Sequence, residues 1–131
     1  MRGFEELFNF IYKGDVSAIE LSDMILNIVH LWDDVIDKDK EYTNEAVDQA
    51  FMHAMVDLHL HPLWTPEMSV LFKRVYYCWN DANRIEKNKE STDNDLAMAW
   101  MLRAGVYDLF VAVAEKLYGR EWAKQISLTV H

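Results

Sequence analysis

DVSAIELSDMILNIVHLWDDVIDK, residues 15–38, is the stretch on which the fold turns. Ala18, Leu21, Ile25, Ile28, Val29, Trp32, Val35 and Ile36 recur at steps of three and four, which gathers them into one apolar stripe of a helix. Asp15 stands just ahead, where its carboxylate can accept from the free amides of a first helical turn. The segment therefore predicts a long amphipathic helix ending near Lys38.

The same signals repeat on either side. Phe4 to Tyr12 reads as a short amphipathic helix stopped near Gly14. Beyond the polar loop Asp39-Lys40-Glu41-Tyr42, Thr43 heads a third helix with Val47, Ala50, Phe51, Ala54 and Leu58 inward, broken at Pro62. Thr65-Pro66-Glu67 supplies a hydroxyl cap, a proline at the first helical position and an acid at the positive helix end. The fourth helix then runs to about Asn88 with Met68, Leu71, Phe72, Val75, Trp79 and Ala82 on its apolar face. Ser91 or Thr92 caps a fifth that reaches Tyr118-Gly119, and residues 120–130 form a short sixth. With four glycines, two prolines and weak strand signals, the expectation is an all-α single-domain helical bundle over residues 1–131. It has four main helices plus two short terminal helices.

Charge narrows the function. The net charge is −9, and residues 15–48 hold ten acids against two bases. Such a chain lacks the dominant positive field that nucleic acid or an anionic membrane selects, so neither is an expected partner. No run of about 18 uncharged apolar residues occurs, so no membrane span is expected. A lone Cys78 fits a reducing compartment, and Met1-Arg2-Gly3-Phe4-Glu5-Glu6 does not read as a signal peptide, so the expected location is cytoplasmic.

Three sets of polar residues are candidates for chemistry. Asp37, Asp34, His30, Asn27 and Asp23 share one face of the helix over 15–38, with Asp33 beside them. Carboxylates near a helix C-terminus oppose the macrodipole at about 0.3–1 kcal/mol each, so Asp33, Asp34 and Asp37 call for a compensating cation, basic partner or water. Magnesium suits carboxylates one turn apart, and His30 is the candidate proton acceptor. On the fourth helix Asn80 adds an oxygen donor and Arg84 is a candidate phosphate clamp. On the fifth, Arg103 and Tyr107 interrupt a nearly apolar run. An arginine there needs a partner, and a polar network with Asp34 and Asp37 is the expected one; phosphate binding is the alternative role.

The Asp33-Asp34-x-x-Asp37 motif resembles the aspartate-rich motif of class I isoprenoid synthases, which implies magnesium and a diphosphate. Asn80-Asp81 resembles the opening of their second motif, but Arg84 and Asn88 replace its hydroxyl and acid. The pairs Glu20-x-x-Asp23 and Asp34-x-x-Asp37 resemble those of all-α nucleotide pyrophosphohydrolases, although here both fall on one helix. Over most of its length the chain is more similar to small uncharacterised helical proteins encoded by tailed bacteriophages. That likeness rests on Trp32-Asp33-Asp34-x-x-Asp37-x-Asp39-Lys40, Trp79-Asn80-x-Ala82-Asn83, Arg103 with Tyr107-x-Leu109, and Gly119-x-Glu121-Trp122. It implies a phage accessory or virion-module protein and assigns no catalytic residue.

Two functions are thus carried forward. One is a non-enzymatic interaction or structural protein with a protein partner or self-association. The other is magnesium-dependent binding or hydrolysis of a small phosphorylated ligand.

Overall fold

In a computed structural model, residues 2–38 and 41–131 are described, and every regular element among them is helical. The predicted loop at 39–42 therefore lies partly outside the described residues. The chain divides into two compact units, residues 1–64 and 65–131.

The first unit begins with α1 (Arg2–Ile11) and α2 (Val16–Asp37). Asp15 caps α2 as its position predicts, accepting from the Ala18 amide at 2.9 Å. Phe8, Ile11 and Tyr12 of α1 are buried, as are Ala18, Leu21, Ile25 and Val29 of the α2 stripe. Tyr12 and Ser22 share a 2.6 Å hydrogen bond inside this core, and burial pushes the Tyr12 phenol well above its usual pKa. At the far end of α2, Lys38 takes a left-handed conformation (φ 61°) and donates its N–H to the Asp34 carbonyl.

Thr43 caps α3 (Asn44–Met52), which passes through a π-helical turn (His53–Asp57) into the short α4 (Leu58–Leu60). Ala50 and Leu58 are buried, and Val47 and Ala54 are half-buried. Phe51, expected inward, is 61% exposed. It lies a quarter-turn away from the stripe that Val47, Ala50 and Ala54 define. His61 ends the unit as a buried residue. Its Nδ1 accepts from the Leu63 amide at 3.2 Å, which leaves Nε2 facing Ser17 Oγ at 3.4 Å.

The second unit contains α5 (Pro66–Lys87), α6 (Asp93–Arg103), α7 (Tyr107–Tyr118) and α8 (Arg120–Val130). Thr65 caps α5, with Pro66 opening the helix as the sequence signals. Thr92 rather than Ser91 caps α6. Its hydroxyl accepts from the Asp95 amide, and the Asp95 carboxylate accepts from the Thr92 amide. The predicted fifth helix is broken in its middle by one turn of 3-10 helix, Ala104–Val106, around Gly105, which lowers local helix propensity. A positive φ of 89° at Gly119, where a side chain would be strained, separates α7 from α8.

The apolar run through α6 and α7 was expected to be central throughout. Only its second half is. Leu109, Phe110, Val113 and Ala114 of α7 are buried, whereas α6 buries Ala99 alone and exposes Leu96, Met98, Trp100 and Met101. By length and composition the whole run, Asp93–Tyr118, is apolar enough to cross a membrane, although Arg103 and Asp108 interrupt it.

Replacing Tyr12 by Phe leaves the Ser22 hydroxyl buried without this partner and is expected to cost about 1–3 kcal/mol. Urea unfolding checks the loss. The Tyr12→Phe/Ser22→Ala pair should cost less than the sum of the two single changes, because both partners then leave together.

Candidate functional site

The residues singled out by the sequence fall in different units. His30, Asp33, Asp34 and Asp37 belong to α2 of the first, while Asn80, Arg84, Arg103 and Tyr107 belong to the second. What each unit builds from its own residues is distinct.

In the first unit, α2 is flanked by two clefts. One, of about 530 Å³, is lined by Phe4, Glu5 and Asn9 of α1 with Ile19, Asp23, Leu26, Asn27 and His30 of α2. The other, of about 410 Å³, sets Gln49 and His53 opposite Val16, Ile19, Glu20, Asp23, Met24 and Asn27. Ile19, Asp23 and Asn27 line both, so one face of α2 forms the floor of a two-sided trough. The face that sequence spacing assigns to Asp23, Asn27 and His30 is thereby real, and these three reach a concave surface together.

Neither cleft has a lysine or arginine in its lining. Glu5 and Asp23 share the first, Glu20 and Asp23 the second. Partial desolvation holds the Asp23 carboxyl above its ordinary pKa, and the negative charge of Glu5 adds to the shift. Aromatic and imidazole groups finish the walls. The Phe4 and His30 rings meet edge-on at 6.4 Å, and Asp57 holds His53 Nδ1 at 3.0 Å, one turn along the π-helical segment. That contact fixes the imidazole with its Nε2 left for other partners.

The DDxxD end of the stripe is placed differently. Asp33 and Asp34 are half-buried, and Asp37, the last residue of α2, is exposed. None of the three lines either cleft. Among the described residues, no group of three or more His, Cys, Asp or Glu side chains is arranged to hold a metal ion.

In the second unit Arg103 is the centre of a clamp. Its Nη2 donates to Asn83 Oδ1 at 2.5 Å and to Glu86 Oε1 at 2.6 Å, while Nε donates to Glu86 Oε2 at 3.2 Å. The guanidinium carbon lies 5.0 Å from the Trp79 ring centroid, and the Trp79 indole N–H donates to the Arg103 carbonyl at 3.0 Å. Aromatic face, amide and forked carboxylate use the planar cation on several sides at once. Arg103 is thus paired, as its apolar context requires, and these partners come from α5. Asn80 and Arg84 stand on the exposed side of that helix, and Tyr107 is half-buried at the start of α7.

Sequence reasoning overlooked Glu5, Asn9, Gln49, Asn83 and Glu86. For Asn83 a signal was available: it follows Trp79 by four residues, so it is a polar group on a buried stripe. The cleft residues on α1 and α3 carry no such mark, because only packing brings those helices beside α2. No known protein family matches the chain, and neither does any curated protein or solved structure.

Two outcomes follow. Arg103→Lys keeps the charge but loses the fork and the stacked plane, so it should destabilise the protein by about 1.5–3 kcal/mol, read by urea unfolding. Asp23 has a raised pKa in the folded chain, so its contribution favours folding at low pH and fades as pH rises through the folded value. Asp23→Asn should therefore raise the melting temperature at pH 7. The gain should disappear below the ordinary carboxyl value of 3.8, and surrounding water keeps it small.

Proposed function

We propose that the protein is a non-enzymatic helical interaction protein, of the phage accessory kind that its sequence resembles, and that the α2 trough receives a basic segment of a protein partner. In this reading residues 1–131 act as a single domain of four main helices and two short terminal ones. The observation that carries it is the absence of lysine and arginine from the lining of both clefts. The trough also lies in a unit whose residues include thirteen acids against four bases.

The chemistry of recognition follows from the walls. Glu5, Glu20 and Asp23 supply charge for a lysine or arginine of the partner, and Asn9, Asn27 and Gln49 supply amide donors and acceptors. Phe4 offers a ring face to the same cation at the rim. Arg103, with three donor contacts to Asn83 and Glu86, serves the framework. Charge complementarity of this kind steers encounter and is screened by salt.

A fluorescent oligolysine peptide titrated into the full chain tests this. Saturable, salt-sensitive binding that Glu20→Gln/Asp23→Asn abolishes is the expected result. Failure of the peptide to bind refutes the trough. Binding of magnesium together with pyrophosphate, lost in Asp34→Asn, would move the site to the aspartate-rich end of α2 and replace an interaction function with metal–phosphate chemistry.

A further inference from the structure

A different surface, on the second unit, carries an inference of its own. From Leu96 to Leu102 every residue of α6 is apolar, and a helix apolar on all sides calls for burial on all sides. One side has it: Ala99 is fully buried, Leu102 is half-buried, and Arg103 ties this side to α5. The opposite side is bare. Trp100 is 78% exposed and Met101 73%, with Leu96 at 45% and Met98 at 56% along its edges. Ala97 is also exposed and, from the helical spacing, lies between Trp100 and Met101 on this face.

We propose that this face of α6 docks against the same face of a second copy of the chain, the two helices running antiparallel about a two-fold axis near Ala97. Three observations favour a copy over other occupants. The stripe from Leu96 to Met101 carries no charge, so like can meet like without repulsion, as a two-fold contact requires. The second unit has nine acids and nine bases and is therefore neutral, so two copies approaching here meet no net field from it. The rim is complementary as well. Asp93 opens α6 at one end of the stripe. Exposed Arg84, next to the Asn83 that binds Arg103, stands on α5 at the other end. An antiparallel seating brings the Asp93 end of one copy toward the Arg84 end of its partner. Small Ala97 at the centre lets the backbones approach, with Trp100 and Met101 passing on either side as anchors. A lipid surface fits less well, because interfacial helices carry Lys or Arg on the polar face whereas α6 opens on Asp93 and Asp95.

The test is sedimentation velocity of the full chain over a wide concentration range. The wild type should dimerise. Trp100→Glu should weaken the dimer by about tenfold or more while leaving helicity and melting temperature unchanged, since the ring is exposed in the monomer. In a Cys78→Ser background, Ala97→Cys should form a disulfide between copies under mild oxidation, because the two-fold axis puts the position opposite itself. A wild type that stays monomeric overturns the proposal, and so does a dimer that survives Trp100→Glu or that Ala97→Cys does not cross-link. A monomer that binds neutral phosphatidylcholine vesicles through Trp100 would make lipid the occupant instead. Oligolysine binding by the trough should be the same in Trp100→Glu as in the wild type, so this surface and the trough can fail separately.

Discussion

The second unit depends on how a guanidinium is accommodated in a helical hairpin that offers it little water. Arg103 closes α6, and its side chain reaches α5 through Asn83, Glu86 and the face of Trp79. The Trp79 indole then returns a hydrogen bond to the Arg103 backbone, so the two residues hold one another from both ends. An isolated charge in that place would be prohibitively costly, whereas a forked and stacked one fixes the register between the two helices. With that register set, Ala82 and Ala99 are buried and the 3-10 turn at Ala104–Val106 leads into α7.

Charge divides the molecule more sharply than the overall value of −9 suggests. All of the excess belongs to residues 1–64, and the remainder is balanced. An acidic unit attracts basic partners and repels its own copies, whereas a neutral unit with an uncovered apolar helix does neither. A chain built this way can hold two kinds of contact apart, one screened by salt and one that is not.

Much of this was legible in the order of residues. The stripe of α2, the caps at Asp15, Thr43, Thr65 and Thr92, and the breaks at Gly14 and Pro62 follow from periodicity and turn chemistry, which are local. The face holding Asp23, Asn27 and His30 was legible for the same reason. What lies across from it was not. Glu5, Asn9, Gln49 and His53 join the trough only because α1 and α3 pack beside α2, a long-range fact that helical spacing does not encode. The expected centrality of α6 failed because periodicity reports how much of a helix is apolar and says nothing of how many neighbours it finds.

The π-helical turn in the third helical segment has a consequence for how the chain tolerates change in length. Its five residues, His53–Asp57, advance the backbone with an extra residue relative to an α-helical path. Shortening the segment by one residue would restore ordinary winding but rotate everything after it by about 100°. Leu58, now 3% exposed, would swing toward solvent, and His61 would leave Ser17 and its contact with the Leu63 amide. Point substitutions on the outer face of this segment are thus expected to be mild, while a single-codon deletion would undo the end of the first unit.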